Sequence, residues 1–230
     1  MSEESTPFSP EQFSGRARVF PLPNLVMFPH VMQALHIYET RYRAMLEEAI
    51  EDDRLIALAV LAPGWEQNYE GRPPLRPTAC LCRIATHQRT KQGTYNVLLE
   101  GVRRMRIVTE LPPKKLFREV EAELLDDVEP PDASPAAVAD IQQELLAAFK
   151  RSLPQMPDSF GQIDQLLGTQ ISLGMLADIV SYTVELDLET KMRLLAECDV
   201  VRRTRLLLDS FADRPAAREP RRFPPDFSIN

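Results

Sequence analysis

The sequence lacks most of the patterns by which enzymes are recognised. Its eight glycines are scattered over 230 residues, whereas phosphate-binding loops need clustered glycines so that backbone N–H groups can approach oxygen atoms. The nucleotide-binding pattern G-x-x-x-x-G-K-[ST], the hydrolase pattern G-x-S-x-G and the metalloprotease pattern H-E-x-x-H do not occur. We therefore predict no catalytic site and no cofactor.

Cysteine and long apolar runs are also scarce. Three cysteines, an odd number, and the absence of any Asn-x-Ser/Thr sequon fit a reducing compartment. The N-terminus, MSEESTPFSPEQF, is acidic and polar, so it does not predict a secretory signal. The longest apolar run, residues 55–62, is far shorter than the ~20 residues that a membrane-spanning helix needs. We expect a cytoplasmic location and no membrane partner.

What the sequence does contain is typical of a globular protein. Its residues are 44% hydrophobic and 27% charged, and a chain of this length can bury a sizeable core. The formal net charge is −7, and an acidic surface repels phosphate backbones unless a local basic patch overrides it. The composition therefore makes nucleic acid an unfavourable partner.

The periodicity of apolar residues changes once along the chain. Residues 16–125 read mainly as short strands, and residues 136–211 read as helices. The acidic, proline-rich segment 126–135 separates them as a linker. Residues 1–15 and 212–230 are polar and contain several prolines, so we expect two disordered tails.

Within the first subdomain, short strands with one early helix predict a small, partly closed antiparallel β-barrel. The helix is expected over 40–52. A hairpin is expected between strands at 79–86 and 94–100, with Gly93 supplying the positive φ of the turn. A separate strand is expected over 102–111. With the helices that follow, the predicted fold class is α+β.

Cys80 and Cys82 form a C-x-C pair on a predicted strand, with His87 nearby. Alternation along a strand places both thiols on one face, so a shared zinc ion is one interpretation and core packing is the other, preferred one. His30, His36 and His87 are the three histidines of the chain, and structural or surface roles are favoured for them over general-base catalysis.

Three arginines, Arg103, Arg104 and Arg106, are the candidate nucleic-acid patch of the strand-rich part. Alternation places Arg103 on the face opposite to Arg104 and Arg106, which weakens a phosphate-binding interpretation. Pairing with glutamates of the strand at 117–124 is the preferred alternative.

The loop over residues 62–77 carries the single tryptophan of the chain, Trp65, together with Tyr69. Aromatic residues with arginine dominate protein interfaces, and long loops are often functional. The alternative is that Trp65 closes one end of the barrel. Neither interpretation is preferred from the residues alone.

An ordered series of short motifs over residues 16–211 resembles the N-terminal, substrate-binding domain of the Lon protease family, and is most similar to the free-standing bacterial versions. The first motifs are Phe20-Pro21-Leu22, Val26, Phe28-Pro29, Leu35-His36-Ile37, Glu39, Arg41, Tyr42 and Leu46. The later ones are Cys82-Arg83-Ile84, Glu100-Gly101-Val102-Arg103-Arg104, Leu176-Ala177-Asp178, Lys191, Leu194-Leu195, Asp199-Val200 and Arg203. His30, Ala34, Thr40 and Tyr38 depart from the family pattern.

The resemblance implies a PUA-like (pseudouridine-synthase-and-archaeosine-transglycosylase-like) β-barrel followed by a helical bundle. It implies a non-catalytic module that binds unfolded or extended polypeptide segments, without the ATPase and Ser-Lys peptidase domains of the full-length proteases. An adaptor or regulator of proteolysis, working with a separate protease, is one form of this role. RNA binding by the PUA-like barrel is the alternative function, and an unrecognised enzyme or metalloprotein built on Cys80, Cys82 and a histidine is a third. The predicted peptide-contacting residues are Trp65, Tyr69, Phe28 and Pro29.

Overall fold

The computed structural model describes residues 8–69, 71–130, 134–152 and 171–212. The outer parts of both predicted tails and part of the predicted linker lie outside these residues. The strands are β1 Arg16–Leu22, β2 Met32–Ile37, β3 Leu55–Leu61, β4 Leu75–Arg89, β5 Tyr95–Glu110 and β6 Arg118–Leu125. The α-helices are α1 Thr40–Glu51, α2 Pro135–Ser152, α3 Leu173–Thr183, α4 Leu188–Ala196 and α5 Val200–Ala212.

The six strands form one sheet in the order β2-β5-β4-β3-β1-β6, and β6 also pairs with β5. Five strands therefore close a circuit of pairings, and β2 is attached to β5 outside it. One pair departs from the antiparallel expectation, because β1 and β3 are parallel. Parallel neighbours need a crossover connection, and here it contains β2 and α1. The α+β class is confirmed.

β5 is one continuous strand, so the prediction of two strands at 94–100 and 102–111 was wrong. Its first half pairs with β2, and its second half pairs with β6. The register against β4 shifts between Leu81 and Cys82, beside Gly101. A glycine inside a strand often marks such an irregularity without ending the strand. The hairpin turn is confirmed, since Gly93 has a φ of 78°.

Two apolar clusters hold the fold together. The first is made by side chains from all five strands of the circuit, and alanines predominate in it: Ala17, Ala57, Ala59, Ala79 and Ala122 accompany Val19, Leu55, Leu81, Met105 and Val120. The second and larger cluster packs the other face of β3 and β4 against α1 and the four C-terminal helices. β3 is buried along its whole length, as is typical of a strand that is covered on both faces.

Side-chain oxygens cap the starts of α3, α4 and α5. Ser172 accepts a hydrogen bond from the backbone N–H of Met175, and Asp187 accepts one from Thr190. Asp199 accepts from the N–H groups of Val201 and Arg202. A side-chain oxygen at this position satisfies backbone donors that the first helical turn leaves unpaired. Within the described residues, no helix combines the length and the apolar character needed to cross a membrane.

Candidate functional site

The loop between β3 and β4 presents the predicted aromatic pair at the surface. Residues Trp65–Asn68 form a short 3-10 turn that begins after Gly64, whose φ of 86° is the left-handed conformation that glycine adopts without strain. The base of the loop is closed by the Ala62 N–H, which donates to the Pro74 carbonyl at 2.8 Å. Trp65 and Tyr69 are half-buried, and their rings meet edge to face with centroids 5.6 Å apart.

Arg41, from the first turn of α1, connects this pair to the body of the protein. Its guanidinium carbon lies 4.7 Å from the ring centroid of Tyr42 and 5.2 Å from that of Tyr69, within cation–π range. Its Nε donates to Glu39 at 2.9 Å, and the Tyr69 hydroxyl donates to the same carboxylate at 3.2 Å. Arg41 and Glu39 therefore hold Tyr69 in a fixed position.

The electrostatics of this cluster keep the Tyr69 hydroxyl protonated and the Arg41 guanidinium charged, so that both can donate hydrogen bonds. Burial raises the pKa of the Tyr69 hydroxyl and the Glu39 carboxylate raises it further, so the hydroxyl remains a donor. Burial alone would lower the pKa of Arg41, but Tyr42 and Glu39 outweigh it, and the pKa is raised. Beside the cluster lies an open cavity of about 450 Å³, bordered by Tyr38, Glu39, Thr40, Arg41 and Tyr69.

The other two predicted contact residues, Phe28 and Pro29, lie in the interior. Phe28 is fully buried in the larger apolar cluster, and Pro29 is buried beside it. The turn that contains them lies against β5 at Gly101, where an added Cβ would overlap the Phe28 carbonyl oxygen. Since neither side chain is accessible, we do not include Phe28 or Pro29 in the candidate surface. The burial of both side chains indicates that they pack this turn against the core.

Sequence reasoning missed a row of exposed side chains along β2. Met32 and Tyr38 are 46% and 66% exposed, and Ala34 and His36 between them are exposed as well. The His36 ring stacks on Tyr38 with centroids 6.3 Å apart, and its Nδ1 lies 2.7 Å from Oδ1 of Asn96 on β5. The alternation of these residues with Gln33, Leu35 and Ile37 was the available signal, because period-two patterns place alternate residues on one face.

This row leads to the aromatic cluster, since Tyr38 also borders the cavity beside Tyr69. A second open cavity of about 570 Å³ lies across β2, β5 and β4, and its border includes Ala34, His36, Gln88 and Leu98. We call the residues Met32, Ala34, His36, Tyr38, Arg41, Trp65 and Tyr69 the β2 surface. It combines the exposed side chains of β2 and Tyr38 with the half-buried side chains of the aromatic cluster.

The three arginines of β5 do not form a basic patch. Arg106 pairs with Glu123 across the strands, as predicted. Arg103 lies 3.6 Å from Asp126. Arg104 was expected to pair with a strand glutamate, and this was wrong, because its side chain is buried against the helices. All three guanidinium groups lie near carboxylates, so these three arginines do not support the RNA-binding alternative.

Arg104 belongs to a buried network that joins the strands to the helices. Its Nη1 donates to Asp178 at 3.0 Å and to Asp127 at 3.1 Å, and its Nε donates to the Leu195 carbonyl at 3.1 Å. Arg203 is fully buried, and its Nη2 donates to Asp127 at 2.6 Å. Two cations and two carboxylates thus balance in charge, which limits the cost of burying them.

Both thiols of the C-x-C pair are fully buried in the larger apolar cluster. Burial raises the pKa of Cys80 well above its ordinary value, so it stays a neutral thiol. The described residues contain no group of three His, Cys, Asp or Glu side chains placed to hold a metal ion. The location of the thiols supports core packing.

Comparison with protein families gives one match over most of the chain. Residues 16–212 match the family described as the ATP-dependent protease La (LON) substrate-binding domain. The Lon protease of Desulfosudis oleivorans is 24% identical over 186 residues, which cover 79% of this chain and 22% of that protein. Lon protease 2 of Desulfotalea psychrophila is 29% identical over 154 residues, which cover 66% of this chain and 18% of that protein. The chain thus spans about a fifth of the length of these relatives.

Two solved structures share the fold. The N-terminal domain of a Mycobacterium avium complex Lon protease aligns with a TM-score of 0.66 and 20% identity, over 87% of this chain and all of that one. A Lon N-terminal domain protein from Xanthomonas campestris aligns with a TM-score of 0.62 and 18% identity, over 84% of this chain and 97% of that one. At these identities the likeness establishes the fold.

Proposed function

Because the chain belongs to the LON substrate-binding domain family, we propose that it is a non-catalytic module that binds unfolded or extended polypeptide segments. Its family supports a substrate-binding role. The observation that carries the proposal is the aromatic cluster at the surface, in which Tyr69 packs against Trp65 and is held by Arg41 beside an open cavity. Rigid aromatic side chains contribute large contact areas at little entropic cost, and arginine and aromatic residues dominate binding energies at interfaces.

The β2 surface suits a client that lacks a fixed shape. It carries apolar and aromatic side chains without forming one deep pocket, so different sequences can place side chains along it. A folded protein buries most of its large apolar side chains, whereas an unfolded one exposes them. Selection for exposed apolar segments therefore distinguishes unfolded clients from folded ones without a sequence code.

Binding to an unfolded protein tests the proposal. The double variant Trp65→Ala, Tyr69→Ala should bind reduced, carboxymethylated α-lactalbumin about 30-fold more weakly or worse, because two interface aromatics contribute about 2 kcal/mol or more. Fluorescence anisotropy of the labelled client measures the affinity. Leu116→Ala is the matched control, since Leu116 is 70% exposed outside the β2 surface. Equal affinity of the double variant and the wild type contradicts the assignment of the site.

We further propose that the bound segment is passed to, or withheld from, a separate protease, and that the chain works in the cytoplasm. The relatives are themselves named Lon proteases, and this chain matches about a fifth of their length. An adaptor role predicts that the chain accelerates degradation of bound α-lactalbumin by a Lon protease, and a protective role predicts that it slows it. No effect on the degradation rate contradicts both forms of the proposal.

A further inference from the structure

β2 has a free edge. Among the described residues its only strand partner is β5, and it ends the sheet order on that side. A strand at the edge of a sheet presents main-chain N–H and C=O groups that another extended chain can pair with. Each strand of the five-strand circuit has a partner on both sides. The free edge of β2, by contrast, is flanked by exposed side chains.

The pairing with β5 determines which groups face outward. The Gly101 N–H donates to the Val31 carbonyl at 2.9 Å, so Val31 faces β5. In an antiparallel pair, alternate residues point their main-chain groups to the partner. Gln33, Leu35 and Ile37 therefore bond to β5, and Met32, Ala34 and His36 direct theirs to the free edge. The Gln33 side chain agrees with this assignment, because its Nε2 donates to the Ala34 carbonyl at 2.6 Å.

The length and the surroundings of the edge also fit an extended segment. From Met32 to Tyr38 the chain advances about 20 Å at ~3.3 Å per residue, which accommodates a segment of about six or seven residues. Tyr38, at one end of this row, also borders the cavity beside Tyr69. The net charge of −7 favours cationic over anionic segments.

We infer that an extended polypeptide segment adds to β2 as a strand, antiparallel or parallel, with an aromatic or long apolar side chain near one end in the cavity formed by Tyr38, Arg41 and Tyr69. This inference rests on the proposed function and specifies how the segment is held. Main-chain pairing supplies affinity that is independent of sequence, and the cavity supplies a preference for one side chain.

Gln33 acts as an internal competitor for this edge. Its amide occupies the Ala34 carbonyl, and the Tyr182 hydroxyl of α3 donates to its Oε1, which orients the amide. An incoming strand competes with the Gln33 amide for the Ala34 carbonyl oxygen. Removing this side chain should therefore strengthen binding, which is the opposite of what loss of an ordinary contact residue does.

Two variants with opposite expected effects test the inference. The probe is a fluorescent ten-residue peptide of alternating Val and Thr with one Tyr and flanking Lys residues. Ala34→Pro removes an outward N–H without breaking a bond to β5, since proline is tolerated on edge strands in this orientation. It should weaken binding about tenfold, and Gln33→Ala should strengthen it about threefold, each corresponding to one main-chain hydrogen bond or less. Leu116→Ala is the control and should leave the peptide affinity unchanged.

A second measurement avoids any dependence on the folding of the variants. The same peptide with N-methyl groups on alternate residues loses its main-chain donors on one edge, and should bind wild-type protein about tenfold more weakly or worse. Undiminished binding of all N-methylated peptides overturns strand addition and leaves the proposed function standing if Trp65→Ala, Tyr69→Ala still weakens binding. Absence of any peptide or α-lactalbumin binding to the wild type overturns both. Self-association of the chain that Ala34→Pro abolishes, without an effect on peptide affinity, assigns the edge to a second copy and also overturns the inference.

Discussion

Arg104 of β5 and Asp178 of α3 form a two-point ion pair in the interior, with side chains 2% and 0% exposed. The two residues are separated by 74 positions in the sequence. One belongs to the strands and the other to the helices, so their pairing fixes how the two parts meet. Arg203 and Asp127 complete the network from α5 and from the segment after β6.

Loss of the Asp178 carboxylate should be strongly destabilising. Asp178→Ala leaves Arg104 buried without its main partner, and breaking one side of a buried pair costs about 3–5 kcal/mol of unfolding free energy. Urea unfolding followed by circular dichroism measures it. Glu123→Ala, which breaks the exposed pair with Arg106, is the control and should cost about 0.5 kcal/mol or less. Similar losses in the two variants would show that the buried pair is not special.

The stability should depend on pH through Asp127. Burial alone would raise the pKa of this carboxyl, but the hydrogen bond from Arg203 and the charge of Arg104 outweigh it, and the pKa lies below its ordinary value of 3.8. A lowered folded-state pKa contributes stability that is present above the unfolded pKa and is lost as pH falls through the folded one. Asp127→Asn should therefore be less stable than the wild type at pH 7, and the difference should shrink below about pH 4.

Unfolding free energies measured between pH 7 and pH 2.5 check this expectation. Asp126→Asn is the matched control, because the neighbouring Asp126 side chain is 75% exposed and lies 3.6 Å from Arg103. At pH 7 it should lose much less stability than Asp127→Asn. A constant difference between Asp127→Asn and the wild type over the whole range would remove Asp127 as the source of the acid sensitivity.

Gly101 should not tolerate a side chain. A Cβ at this position would overlap the Phe28 carbonyl and lie 3.2 Å from the Cys80 sulfur, so the turn that precedes β2 would have to move. We expect Gly101→Ala to cost about 3 kcal/mol in unfolding free energy. Gly64→Ala provides the comparison, because its φ is positive but no atom lies within 4 Å of the added Cβ, and it should cost about 1 kcal/mol. Equal costs would mean that the turn moves freely.

The three cysteines should differ in reactivity. Cys80 and Cys82 are fully buried, whereas Cys198 is partly exposed. Titration of the native protein with a dithiobis-nitrobenzoate reagent should detect one reactive thiol, and titration in guanidinium chloride should detect all three. Burial raises the pKa of Cys198, so its reaction should be slower than that of a free thiol. Rapid reaction of more than one native thiol contradicts the burial of the pair.

Local features of the fold were predictable because local residues determine them. The helix caps at Ser172, Asp187 and Asp199 and the glycine turn at Gly93 each follow from backbone groups within a few residues. The continuity of β5 was not predictable in this way. In the sequence, Gly101 interrupts the strand pattern. In the structure a side chain at this position would overlap the Phe28 carbonyl, which belongs to a turn that is distant in the sequence.

The candidate site was predictable only in part. Trp65 and Tyr69 were identified because aromatics in a long loop stand out. Their partners Arg41 and Glu39 could not be identified from the sequence, because the start of α1 and the loop meet only in the folded chain. Arg104 was misassigned for the same reason, although one signal existed: Asp178 is the one charged residue of the helix LGMLADIVSYT. A carboxylate in that setting requires a buried cation.

The closed circuit of strands has a consequence for synthesis on the ribosome. β1 pairs with β3 and with β6, and Arg16 lies opposite Glu121 in the register with β6. At about 5–20 residues per second, roughly 5 to 20 s separate the translation of these two positions. During that interval one side of β1 has no native partner, and it is vulnerable to pairing with other nascent chains. Closure of the strand circuit therefore waits until β6 has left the ribosome.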